Sequence, residues 1–88
     1  MQILVNKISE EEIIKRNIRQ WPIWQKEVSK FDWFYSETEE CYFLEGKVTI
    51  HCKDESIDIQ KGDFVIFPQG LECTWEIKEP VRKHYNFR

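Results

Sequence analysis

The chain has 88 residues, the length of one domain spanning residues 1–88, with 13 Lys and Arg against 16 Asp and Glu for a net charge of -3. Hydrophobic residues make up 41% and aromatic residues 15%, too apolar and ring-rich for a disordered segment. The charges are mixed, with no basic block to track a phosphate backbone, and no apolar run approaches the roughly 18 residues of a membrane span. Neither nucleic acid nor a membrane is expected as a partner. The N-terminal MQILVNKISEEE lacks the basic region, apolar run and small-residue cleavage site of a secretory signal, so a cytoplasmic protein is expected.

In chain order, Ile3, Val5 and Lys7 alternate as an edge strand does. Ser9-Glu10-Glu11-Glu12 is a capping box, and with Ile14 and Ile18 one turn apart it predicts a short helix from Glu10 to Arg19, ended by the bias that Pro22 imposes on Trp21. From Glu27 the period changes to two: Phe31, Trp33 and Tyr35 share one face, and Cys41, Phe43 and Glu45 alternate with Tyr42 and Leu44. A tight turn at Glu45-Gly46 is expected to lead into a strand over Lys47–Cys52. Ile57 and Ile59 mark a short strand, Lys61-Gly62-Asp63 a turn, Phe64–Phe67 a buried strand and Pro68-Gln69-Gly70 another turn. Leu71, Cys73, Trp75 and Ile77 alternate against polar neighbours, Pro80 interrupts, and Val81–Phe87 closes the chain as a last strand. Short strands at this spacing after one helix predict an all-β sandwich or barrel.

Cys41, Cys52 and Cys73 are odd in number and fit neither a disulfide framework nor the paired spacing of a structural zinc site, so reduced thiols are expected. His51 and His84 stand far apart, with no local metal-ligand cluster.

Glu39-Glu40-Cys41-Tyr42-Phe43-Leu44-Glu45-Gly46 resembles the second half of the first cupin motif. The stretch Gly62-Asp63-Phe64-Val65-Ile66-Phe67-Pro68-Gln69-Gly70-Leu71-Glu72-Cys73 resembles the second. Together with Trp21-Pro22-Ile23-Trp24, Phe31-Asp32-Trp33-Phe34-Tyr35 and Pro80–Asn86, they make the chain similar to small single-domain cupins of the type that includes the ureidoglycine aminohydrolase cupin domain and the ethanolamine-utilisation cupins. The resemblance implies a small jelly-roll barrel. Metal-binding cupins supply three His and one Glu to a divalent first-row ion. Here the two early His positions hold Asp32 and Phe34 or, one residue on, Trp33 and Tyr35, the last holds Cys73, and Glu39 alone of the set remains. No cofactor is expected; the alternative is a soft ion held by Cys73 with His84 or Cys41.

If the ligand positions face inward, Glu39 and Cys73 share one cavity and are the candidate catalytic groups. A carboxyl in an aromatic-lined barrel is a candidate acid or base; the competing reading is a Glu at the barrel mouth paired with an Arg or Lys such as Arg82. Cys73 becomes a nucleophile if His84 or the barrel field lowers its pKa. Trp33, Tyr35 and Trp75 could cage a flat or cationic ligand. Cys41, Phe43, His84 and Tyr85 complete the candidate ligand-binding residues. Trp21 and Trp24 are read as capping one barrel end or making a dimer contact. The expected function is a monomeric or homodimeric cupin binding a small molecule in an aromatic pocket. The alternatives are an aminohydrolase, isomerase or epimerase using Glu39 as acid/base, or an accessory protein whose barrel is only a packed core.

Overall fold

The computed structural model describes residues 2–88. Strand β1 (Leu4–Lys7) is an edge strand, paired only with β6. Helix α1 (Glu10–Lys15) is capped as its sequence requires, Glu12 N–H donating to Ser9 Oγ at 3.2 Å. It is shorter than expected. Asn17 adopts left-handed backbone at φ 60°, a conformation Asn tolerates, and a 3-10 turn over Ile18–Gln20 follows in place of the helix's last residues. Ile13, not Ile14, is the buried residue of α1; Ile14 is 67% exposed. Ile13, Ile18 and Phe64 form a small second cluster apart from the main core, against which Trp21 and Tyr42 pack.

The remaining strands are β2 (Ile23–Lys26), β3 (Ser29–Phe34), β4 (Glu39–His51), β5 (Ser56–Gln60), β6 (Asp63–Phe67) and β7 (Glu72–Phe87). All pairings are antiparallel. β4, with 13 residues, and β7, with 16, lie side by side along their length as the spine of the fold. The first half of β4 and the second half of β7 are flanked by β6, β1 and β2, and the other halves by β5 and β3. The inner faces of these two layers meet. Trp75 of one rests on Phe43 and Phe67 of the other, and Tyr35 stacks on Phe67 with ring centroids 4.7 Å apart. The result is an all-β, jelly-roll-like seven-stranded sheet without complete closure.

Three readings of the sequence are corrected. Glu45-Gly46 is not a hairpin turn and Pro80 does not separate two strands: β4 and β7 each continue through, and the two residues face each other across a bulge. Gly46 sits at φ +110°, and a Cβ there would stand 2.7 Å from the Pro80 carbonyl oxygen and 2.8 Å from Val81 Cα. The close approach needs glycine. The bulge also shifts the inward face of β4 from Glu39, Cys41 and Phe43 to Val48 and Ile50, so Glu45, which shares the alternation of Cys41 and Phe43, is exposed. The third correction is β2 itself, four residues after Pro22 that pair with Val81–His84 of β7 and were not anticipated as a strand.

Candidate functional site

A cavity of about 200 Å³ opens between the layers. Its walls are rings: Trp24 from β2, Phe31 and Trp33 from β3, Tyr35 just beyond, and Trp75, Tyr85 and Phe87 from β7. Its polar floor is Glu39 and Lys83. Pairing explains the convergence. Phe31 lies opposite Trp75 and Trp33 opposite Cys73, while Trp24 and Phe43 flank Lys83 from either side. Phe31 and Trp75 lie nearly parallel, at 14°, with Trp24 edge-on to both.

Lys83 donates to Glu39 Oε2 at 2.7 Å and to Cys41 Sγ at 3.2 Å, and the Cys41 thiol donates to the same carboxylate oxygen at 2.9 Å. Both charged side chains are over nine-tenths buried. The ammonium also lies 4.8 Å from the Trp75 ring centroid, 5.1 Å from that of Trp24, and just under 6 Å from those of Phe43 and Phe67. Burial opposes the charge on Lys83, but Cys41 and Glu39 at its tip outweigh it and hold the ammonium above the ordinary lysine pKa. Burial raises the Cys41 thiol and the Tyr35 phenol well above their usual ranges, so both stay protonated at neutral pH.

Two polar valences of the cavity-lining residues are free. Glu39 Oε1 accepts no hydrogen bond from the described residues. Since no fully buried side-chain oxygen among the described residues lacks a partner, that atom retains contact with accessible space. Tyr35 Oη accepts from Trp75 Nε1 at 3.1 Å, and its own proton goes to no described acceptor.

Of the residues singled out in the sequence, Trp33, Tyr35, Glu39, Trp75 and Tyr85 line the cavity. Cys41 and Phe43 sit behind its floor as contacts of Lys83. His84 does not reach it: the ring lies on the opposite face of β7, with Nδ1–H donating to the Trp21 carbonyl at 2.9 Å. Cys73 lines a separate depression with Asp32, His51 and Cys52, and burial pushes its thiol up to about 12. At neutral pH it is held as a thiol, and it stands apart from Glu39, with which the sequence reading placed it in one cavity. Glu39 is paired with a basic side chain, and that side chain is Lys83 in place of the Arg82 given as the example. Trp24, Phe31, Lys83 and Phe87 were missed. Strand parity could have supplied Lys83 and Phe87, because residues 83, 85 and 87 share a face that His84 cannot share with Tyr85.

The donor set does not fit a divalent metal. At the retained carboxylate the cationic position belongs to Lys83, Asp32 points away to accept from Thr74 Oγ1, and Cys73 lies in the other depression. No group of three or more His, Cys, Asp or Glu with metal-holding geometry occurs among the described residues.

The EutQ-like cupin domain family matches residues 15–85, and the chain belongs to that family. It is similar to a DUF861 family protein from Thermotoga maritima, at 48% identity over 99% of this chain and 100% of the other, with a TM-score of 0.97. The EutQ protein of Clostridium difficile superposes at a TM-score of 0.70, with 15% identity over 97% of this chain and 66% of that one. A cupin-2 domain protein from Shewanella frigidimarina gives 0.63, with 23% identity over 75% and 67%. The last two are likenesses of fold. No curated protein sequence matches the chain. No helix among the described residues is long and apolar enough to cross a membrane.

Proposed function

We propose that this cupin domain binds a small, uncharged, planar ring compound carrying an N–H beside a carbonyl. The observation that carries this reading is the pairing of aromatic walls with one free acceptor, Glu39 Oε1, and one free donor, the Tyr35 hydroxyl, on residues that line the cavity. Flat walls favour a flat guest, since stacked and edge-on ring contacts add to the area buried. Glu39 accepts the N–H of the guest and Tyr35 donates to its carbonyl. A charged guest is disfavoured from either side: an anion would meet a lysine already neutralised by Glu39, and a cation would compete with that lysine for the carboxylate. Glu39 is thus an anchor for the guest, and Tyr35, Trp75, Trp33 and Tyr85 define its plane. The cavity counts against the accessory-protein alternative, which expects a fully packed interior.

The probe is 2-pyridone, followed by tryptophan fluorescence and by two-dimensional amide NMR. Saturable change at Trp75, Tyr35 and Glu39 is expected at up to millimolar probe, with benzoate inactive. Tyr35→Phe, which keeps the ring stack on Phe67, should weaken binding about tenfold, as loss of one hydrogen bond to a buried guest does. No response to 2-pyridone, or an equal response to benzoate, overturns the reading.

A further inference from the structure

Cys52 and Cys73 take no part in the cavity floor, yet the register brings them together. Between the second half of β4 and the first half of β7, pairing runs evenly through Val48 with Ile77, Ile50 with Trp75 and His51 with Thr74. One further step sets Cys52 opposite Cys73. Both share the inward parity of their strands, Cys52 that of Val48 and Ile50, Cys73 that of Trp75 and Ile77. Both pack against the main core and line the same depression.

The backbone hydrogen bonds identify the kind of pair. Tyr35 N–H donates to the Leu71 carbonyl at 2.9 Å, which makes Tyr35 with Leu71, and by alternation Trp33 with Cys73, the bonded positions between β3 and β7. The backbone groups of Cys73 therefore face β3 and not β4. Cys52 N–H in turn donates to the Glu55 carbonyl at 2.7 Å. Carried one step past His51 and Thr74, that register makes Cys52 and Cys73 a non-hydrogen-bonded antiparallel pair, in which opposed Cα atoms approach to about 4.5 Å. That lies within the disulfide span of about 4.4–6.8 Å.

We infer that Cys52 and Cys73 are a peroxide-responsive site that closes a cross-strand disulfide. The thiolate of half-buried Cys52 attacks a peroxide oxygen; an S–O bond forms, the O–O bond breaks, and the departing oxygen takes a proton to leave as water when the oxidant is hydrogen peroxide. The sulfur of Cys73, losing its proton, then attacks the sulfenic sulfur of Cys52, and the hydroxyl leaves as a second water. Two thiols lose two electrons and the peroxide gains them. Cys52 leads because it is the more accessible; burial raises both thiols, so the bond closes faster as pH rises. Cys41 is a bystander, its sulfur held by Glu39 and Lys83.

The test is hydrogen peroxide on the folded protein at about pH 8.5, where more thiolate is available. Alkylation and a non-reducing tryptic map follow. The expected product is a monomer lighter by two hydrogens, with peptide 48–53 joined to peptide 62–78, and with Cys41, in peptide 31–47, alkylated only after unfolding. The oxidised monomer should melt higher, on the order of 10 °C, and lose the gain on reduction. Cys52→Ser, a change at a half-exposed position, should abolish the bridged peptide while leaving the reduced protein's melting point nearly unchanged. Over-oxidised Cys52 with free Cys73, a dimer joined through Cys52, or a bridge that survives in Cys52→Ser overturns the inference.

Discussion

Along the paired strands β4 and β7, the interior beside Gly46 and Pro80 and the interior around Glu39 and Lys83 are filled by different means. Near the bulge, Val48, Ile59, Ile77 and Val81 are each at most 2% exposed, and branched aliphatic chains close the space with no polar group to satisfy. Around Glu39 and Lys83 the same two strands bury an ion pair, a thiol and a ring of aromatic side chains, and a cavity remains. Aliphatic chains can interdigitate from both layers. Flat rings and a fixed ion pair cannot, because the pair must keep its geometry and the rings fill space only in a few orientations. The cavity is the consequence of burying charge at one end of an otherwise dry core.

Removing one partner of the pair should break this comparison most severely. Lys83→Met leaves Glu39 buried without its cation and should lower unfolding free energy by about 3–5 kcal/mol in urea titrations. Adding Glu39→Gln should recover most of the loss. A single variant as stable as the parent would mean that the ion pair does not organise this end.

Gly46→Ala tests the other end. The new Cβ meets backbone atoms of Pro80 and Val81 below 3 Å and is forced to positive φ, so a loss of about 3 kcal/mol is expected from equilibrium unfolding. A cost below about 1 kcal/mol would show that the bulge can relax and does not pin the bend.

The smallest effect at neutral pH, and the most selective, is alkaline titration. Cys41, Cys73, Tyr35 and Lys83 all have pKa values raised by folding. Each contributes stability that is complete below its unfolded value, 9.0 for Cys, 10.0 for Tyr and 10.5 for Lys, and is lost as pH rises toward its folded value. Melting temperature should therefore be flat up to about pH 8.5 and fall progressively above pH 9. Cys73→Ala should soften the start of that fall. A melting point that rises between pH 9 and 10.5 would contradict the assignment.

Much of this architecture is legible in the residues. Ser9 and the acidic residues after it specify where α1 begins, and period-two alternation places Phe31, Tyr35, Trp75 and Ile77. Gly46 and Pro80 mislead because each, taken alone, is a chain-breaking signal. Their meaning depends on lying opposite one another, where a missing Cβ on one strand accommodates the carbonyl of the other. β2 is obscure because four residues carry little periodic signal, and its place is fixed by the hydrogen bonds β7 offers.

For the site, local sequence indicates Glu39 through its motif and the aromatic strand faces through alternation, because both follow from spacing along one chain segment. It does not indicate that Lys83, 44 positions from Glu39, would be the buried cation, or that Cys52 and Cys73 would line one depression. Burying a lysine is unfavourable unless a carboxylate meets it, and that meeting is set by the antiparallel register of β4 and β7 on either side of their shared bulge. The sequence by itself determined the helix cap and the alternation that turns most strand faces inward; the tertiary structure alone decided that β4 and β7 run on through their bulge and which side chains become partners, since a bulge or an ion pair is fixed by distance in space and not along the chain.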